Sequence, residues 1–272
     1  MMAYKRILTI QDISCVGQCS MTVALPILSA CGHETCILPT AVLSTHTGGF
    51  GKPVVQHLDA DGMWRHWKDR GINFDAILVG YLGSVSAIDT VSEILDELLA
   101  PGGIAIVDPA MADHGKLYSG FDKAYATAMQ ALCEKADIML PNITEAAMMA
   151  DMDYPADLDE AYIRKLLEKL GGGDVILTGA GFAENQTGAA VRANGNVTFY
   201  HHRRLPGNFA GTGDMFAACF TGALMQGKTM EEAVRIASEF VCRSICATMD
   251  SPAHWYGVKF ETVLPWLINA LF

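Results

Sequence analysis

The chain has 272 residues, a net charge of −11 and a hydrophobic fraction of 51%. That is enough apolar material for one large α/β domain, and the length alone does not demand a second. The acidic balance argues against nucleic acid as a partner, which would want a basic stripe, although backbone N–H groups can still hold a phosphate inside an acidic protein. The eight cysteines fall mostly in apolar runs with no regular framework, as expected of free buried thiols in a reducing cytosol. Cys15 and Cys19 are four apart, as are Cys242 and Cys246, but no matching His/Cys set makes either pair a zinc site. No apolar run reaches about 18 residues, so no membrane span is expected. The N-terminus runs directly into a strand-like segment with no signal-like stretch, and a cytoplasmic protein is the expectation.

In chain order, Arg6 to Ile10 is a short apolar run that predicts a buried strand, and Gln11 to Gly17 a loop. Ser20 to Ala30 predicts a packed helix, with Pro26 near its first turns or kinking it, ended by Gly32. Thr35 to Leu38 predicts a second strand, and the β-loop-α-β order predicts a right-handed parallel crossover. Leu43 to Pro53 holds three glycines and a proline, which predicts a loop over a site, or else a plain surface turn. Val55 to Arg70 has a rough helical pattern broken at Asp61-Gly62. Ala76 to Gly80 predicts a strand, Ser84 to Leu99 a helix capped by Ser84, and Gly103 to Val107 a strand ending at Asp108-Pro109.

Ala124 to Glu134 predicts a helix and Asp137 to Leu140 a strand stopped by Pro141. Asn142 and Glu145 have the capping-box spacing and open the next helix. Leu158 to Leu170 predicts a helix, and Val175 to Leu177 a strand. Thr187 to Arg192 and Val197 to His202 predict a hairpin about an Asn-Gly turn. Helices follow from Met215, from Met230 to about Cys246, and from Phe260 to Leu271. This alternation predicts one α/β domain with a mainly parallel sheet, helices on both faces and a late antiparallel hairpin. In such a sheet the loops after strands collect along one edge, where ligands bind. Here they are Gln11 to Gly17, Tyr81, Asp108 to Asp113, and Asn142 to Glu145.

The most informative stretch is Ala210-Gly211-Thr212-Gly213-Asp214, ahead of the apolar run Met215 to Met225. Glycines at a helix start allow close backbone approach, and the free N–H groups and dipole there suit an anion. Asp214 would repel that anion unless its task is to take a proton from an attacking hydroxyl, the pairing phosphoryl transfer to an alcohol requires. The alternative is an acid that stabilises its own helix start. Asp108, Asp113 and Glu145 add acids at predicted strand ends, where magnesium–nucleotide sites find oxygen ligands; each alone could be a cap or turn residue, Glu145 above all. There is no Gly-x-x-x-x-Gly-Lys-[Ser/Thr], and no strand ends in a dinucleotide-binding glycine fingerprint.

Gly211-Thr212-Gly213-Asp214 resembles the signature of the ribokinase superfamily of small-molecule kinases. With Thr9-Ile10-Gln11 and Gly17, His46-Thr47-Gly48, Gly80-Tyr81, Asp108-Pro109-Ala110-Met111 through Asp113, and Pro141-Asn142 with Glu145, the chain resembles pyridoxal/pyridoxine/pyridoxamine kinases along nearly its whole length. The resemblance implies a single ribokinase-like domain of three α/β/α layers spanning residues 1–272. It implies an ATP-dependent kinase of the vitamin B6 5′-hydroxyl, using Mg2+, as a homodimer with no nucleic-acid or membrane partner. Asp214 would be the base and the Gly211, Thr212 and Gly213 backbone the anion hole. Gln11, Asp12, Ser14, Thr47 and Tyr81 would meet the substrate. Asp108, Asp113, Asn142, Glu145 and Thr178 would serve the nucleotide, together with Gly211 and Gly213. Asp108, Asp113 and Glu145 would hold the metal. Two departures stand out. The family often has Ser directly after the glutamine, where this chain has Asp12 and, two positions on, Ser14; this leaves the vitamer preference open. The Asp-Pro-Val-Met-Gly-Asp motif reads Asp-Pro-Ala-Met-Ala-Asp. The resemblance leaves open hydroxymethylpyrimidine or a sugar as substrate, and a non-catalytic B6-binding protein.

Overall fold

The computed structural model describes residues 4–155 and 157–272. The chain order is β1 (Arg6–Ser14), α1 (Met21–Ala30), β2 (Glu34–Leu43), β3 (Val55–His57), α2 (Ala60–Asp69), β4 (Phe74–Val79), α3 (Val85–Leu98), β5 (Leu99–Val107), a small hairpin of β6 (Ala112–Asp113) and β7 (Lys116–Leu117), α4 (Lys123–Lys135), β8 (Ile138–Met139), α5 (Ile143–Met149), α6 (Glu160–Lys169), β9 (Asp174–Thr178), the hairpin β10 (Gln186–Ala193) and β11 (Asn196–Arg203), α7 (Thr212–Met225), α8 (Met230–Met249), and a 3-10 turn (Phe260–Val263) leading into α9 (Leu264–Leu271).

One sheet runs in the order β11-β10-β9-β8-β5-β4-β1-β2-β3, with β6 and β7 apart from it. The strands from β9 to β2 are parallel. The β10–β11 hairpin and β3 close the two edges antiparallel. The apolar runs read as strands are buried on both faces, and successive side chains divide between two cores. In β4, Ile77 and Val79 pack with α2 to α6, while Ala76 and Leu78 pack with α1, α7, α8 and α9. Each fully buried Leu or Ile here contributes about 1.5–3 kcal/mol. The three-layer α/β/α expectation is met.

Three local expectations change. The segment from Gln11 is not loop throughout: β1 continues to Ser14 on β2, with a register shift between Gln11 and Ile13. Such a bulge re-aims side chains, and here it carries Asp12 and Ser14 to the sheet edge. Val55 to Arg70 is not one broken helix. Val55–His57 pairs with Ala41–Leu43, and the helix starts after Asp59, whose side chain accepts the Gly62 N–H. The β-branched Val54-Val55 pair and an open sheet edge outweigh the helical pattern there. The Asp108 to Asp113 loop ends in the β6–β7 hairpin, which no alternation in the sequence announces. The Asn194-Gly195 turn has φ of 50° and 77° at its two residues, as a two-residue hairpin turn requires.

Candidate active site

The carboxyl ends of the parallel strands open on one cleft of about 1870 Å³. Of the residues expected there, Asp12, Ser14, Thr47, Tyr81, Asp108, Asp113, Asn142, Glu145, Thr178, Gly211, Thr212, Gly213 and Asp214 all line it. Gln11 does not. It is 2% exposed and donates from Nε2 to Thr9 Oγ1 at 2.7 Å. Its carboxamide also crowds Gly80, where an added Cβ would lie 2.7 Å from Oε1. Gln11 is therefore a packing residue beneath the cleft.

The helix α7 begins at Gly211, which has φ 77° and no side-chain cap. An added Cβ at Gly211 would sit 2.0 Å from the Gln18 carbonyl oxygen, so both space and backbone require glycine. Gly213 is exposed and nothing lies within 4 Å of its added Cβ, so the cleft comes directly to the backbone. Thr212 Oγ1 donates to the Phe209 carbonyl at 3.2 Å and ties the turn. The first N–H groups of a helix have no partner within it. With no capping side chain, this terminus offers them, and the positive end of the dipole, to an anion in the cleft.

Asp214 stands in that first turn. Its Oδ2 accepts the Ser20 N–H at 2.8 Å, while Oδ1 has no hydrogen-bond partner among the described residues. Burial pushes its pKa up to about 6, against the Ser20 bond, and Asp12 adds to the rise. A carboxylate so placed is ionised near neutral pH and basic enough to take a proton. Ser20 is the residue that sequence reading missed. It precedes α1 with φ 52°, and its N–H is spent on an acid 194 positions away.

The second acid group is built on a different plan. The Asn142–Glu145 capping box is present in full. Glu145 Oε2 accepts the Asn142 N–H at 2.8 Å, and Oε1 accepts the Met111 and Ala112 N–H groups at 2.9 and 3.4 Å. Asn142 Nδ2 donates to the Ala112 carbonyl at 2.8 Å. These two side chains therefore hold the Asp108 loop against the start of α5. Within that loop Asp108 Oδ1 accepts the Ala110 N–H at 3.1 Å, and Ala110 takes φ 36°. Burial, then Glu145 and Asp214, holds Asp108 well above the usual carboxylate range. Burial above all pushes Glu145 up to about 7. Tyr118 is raised by burial and by the same acids. Asp113 is half exposed and 3.5 Å from His114 Nε2. Thr178 turns its N–H and hydroxyl to the Pro141 carbonyl, at 2.9 and 3.4 Å.

No group of three or more His, Cys, Asp or Glu donors forms a ready metal cage among the described residues. The donor set still fits a divalent cation carried by phosphates. Glu145 is buried and Asp108 half-buried, with no Lys or Arg pairing either among the described residues. Mg2+ needs only one or two carboxylates beside phosphates and water.

The loop from Ser44 to Val54 borders the cleft. His46 is 5% exposed. Its Nδ1 accepts the Gly48 N–H at 3.0 Å, so Nε2 is left to donate to the Tyr256 carbonyl at 3.0 Å. Phe50 packs on Trp255, with ring centroids 4.6 Å apart. Gly17 is required beside this loop, since its Cβ would lie 2.0 Å from the His46 ring. Tyr81 stacks on Phe121 at 5.5 Å and lines the same cleft as Thr47.

A helix start with uncapped N–H groups, a carboxylate with one oxygen unbonded and a second acid group in one cleft suit a kinase of small alcohols. Comparison with known proteins agrees. The phosphomethylpyrimidine kinase family matches residues 38–257. A hydroxymethylpyrimidine/phosphomethylpyrimidine kinase from Haemophilus influenzae is 28% identical over 61% of this chain, which spans 63% of that enzyme's length. A pyridoxine/pyridoxal/pyridoxamine kinase from Bordetella avium is 29% identical over 89% of the chain and 85% of the relative. The crystal structure of pyridoxal kinase from Lactobacillus plantarum superposes with a TM-score of 0.90 and 32% identity, covering 97% of each chain. The chain belongs to the phosphomethylpyrimidine kinase family, as a pyridoxal-kinase-type member of the ribokinase superfamily.

Proposed function

We propose that this enzyme transfers a phosphoryl group from ATP to the 5′-hydroxyl of the vitamin B6 vitamers pyridoxal, pyridoxine and pyridoxamine. The observation that carries the reading is Asp214: one oxygen held by Ser20 N–H, the other free, at an uncapped helix start facing the cleft. Asp214 takes the proton from the substrate hydroxyl as it attacks. The N–H groups at Gly211 to Gly213 meet the charge that spreads over the transferring phosphoryl oxygens, in place before the reaction begins. Thr47 and Tyr81 position the substrate ring, and Asn142 and Thr178 shape the nucleotide end. Mg2+ would be held by Asp108, with Glu145 and Asp113 beside it, and supplies countercharge to the phosphates. A homodimer in the cytoplasm belongs to the same proposal; among the described residues no helix is long and apolar enough to cross a membrane.

The family match and the Haemophilus influenzae relative favour a second reading, the same chemistry on hydroxymethylpyrimidine. A coupled ATP-consumption assay against the three vitamers and hydroxymethylpyrimidine separates the two. Turnover of the vitamers is expected to exceed that of the pyrimidine. Equal or better turnover of the pyrimidine overturns the B6 reading, and tight pyridoxal binding without ATP consumption overturns the kinase.

A further inference from the structure

Asp12 is the one acid on the substrate side of the cleft that the chemistry above leaves without a task. It is 4% exposed and lines the cleft with Thr47 and Tyr81. Its Oδ2 accepts the Ser14 hydroxyl at 3.0 Å. Burial raises its pKa, and the neighbouring Ser20 and Ser14 hydroxyls offset only part of that rise. Ser20 therefore stands between two carboxylates, its N–H on Asp214 and its hydroxyl beside Asp12.

No Lys or Arg pairs with Asp12 among the described residues. His46 is near, but its Nδ1 meets the Gly48 N–H and its Nε2 the Tyr256 carbonyl, so its ring nitrogens are engaged elsewhere. The Cys19 thiol is pushed up to about 12 by burial, Asp214 and Asp12, and so stays uncharged. Burial and Asp12 together raise Tyr81. The other basic side chains on this part of the wall, Lys52 and Arg204, are exposed. Neighbouring hydroxyls compensate a buried carboxylate poorly, and a charge so placed calls for an opposite one. On the kinase reading the alcohol occupies the cleft that Asp12 lines, so the substrate can bring that charge.

We propose that Asp12 is a specificity-determining residue, which pairs with a protonated nitrogen carried by the alcohol substrate, on its ring or on an aminomethyl arm. The site then prefers cationic heteroaromatic alcohols to neutral ones. The proposal rests on the kinase reading and deepens it. It also links recognition to chemistry. Asp12 raises Asp214, and a cation beside Asp12 offsets that repulsion, which returns the base toward its ionised form as substrate binds.

The test compares wild type with Asp12→Asn and, should that variant fold poorly, Asp12→Ser. Three alcohols are used: pyridoxamine, with an amine arm; pyridoxine, with the ring nitrogen alone; and 3-hydroxybenzyl alcohol, with no nitrogen. Both kcat/KM and the Kd from calorimetry are measured. A charge-assisted hydrogen bond lost from a buried site is worth roughly 10- to 100-fold. The wild-type preference for a nitrogen-bearing alcohol over 3-hydroxybenzyl alcohol should fall by that factor in the variant. A fall for pyridoxamine alone places the partner on the arm, and a fall for both vitamers places it on the ring. A uniform drop in kcat with unchanged ratios and Kd values overturns the proposal and leaves Asp12 a structural neighbour of the base. If wild type turns over none of the alcohols, the kinase reading fails, and calorimetry still decides: selective loss of pyridoxamine affinity supports Asp12 as the counter-ion, and unchanged affinity overturns it.

Discussion

Glu145 and Asp214 are carboxylates at the first turn of a helix on the same cleft, the first buried and the second half-buried, yet the fold treats them oppositely. Both oxygens of Glu145 are occupied, by three backbone N–H groups from two segments. Asp214 has one oxygen occupied, by the N–H of a remote serine. The first side chain spends its acceptor capacity on joining loops, and the second keeps half of it for a reactant. For such an acid, the number of uncommitted lone pairs separates a scaffold from a base better than a raised pKa, which the two share.

The largest expected effect is at the base. Asp214→Asn keeps the shape and the Ser20 contact but cannot accept the hydroxyl proton. We expect kcat to fall by about 10²–10⁴-fold with little change in KM, since the proton moves mainly in the transition state. The melting temperature should barely change. Steady-state kinetics with a thermal melt of the one variant checks this. Near-normal kcat would mean that Asp214 is only a helix-start acid.

Glu145→Gln should show the reverse pattern. Its new NH2 group must face a backbone N–H, and a buried donor left unpaired costs about 1–3 kcal/mol. A drop of several degrees in melting temperature is expected, with a kcat loss well below that of Asp214→Asn. An unchanged melt with a collapse in kcat would erase the contrast between the two acids.

The mildest test is the pH dependence of the ligand-free protein. Burial raises Glu145 to about 7 and Asp214 to about 6. Between about pH 4 and 7 the folded chain thus holds protons that the unfolded chain has released, so stability is lost as pH rises through that window. The free enzyme should melt lower at about pH 8 than at about pH 5, and ATP with Mg2+ should narrow the gap by countering the acids. A melt that rises with pH across this range would show that the acids are not buried unpaired.

The legibility of the two sites in the sequence differs for the same reason that the sites differ. Glu145 accepts one of its bonds within its own turn, and the Asn142–Glu145 spacing in the sequence discloses that capping box. Its grip on Met111 and Ala112 was invisible, because that contact crosses from one strand end to the next. Asp214 was found through the glycines around it, since an anion site at a helix start is a local device. What the residue numbers could not show is Ser20, or the Gln18 carbonyl that makes Gly211 obligatory.

The alternation of apolar runs and helical patterns, acting within about 20 residues, determined by itself the layered fold, the parallel sheet and the edge where ligands gather. Local backbone chemistry likewise determined the hairpin turn at Asn194-Gly195 and the start of α7. Tertiary structure alone decided that β1 runs on through a bulge to present Asp12, that Gln11 packs beneath the cleft, and that Val55–His57 becomes an edge strand. It also decided that Ser20 holds Asp214 and lies beside Asp12. The physical reason is that periodicity and turn propensity are properties of neighbours along the chain, whereas the occupancy of a carboxylate's lone pairs and the charge around it are set by whichever segments the sheet brings side by side.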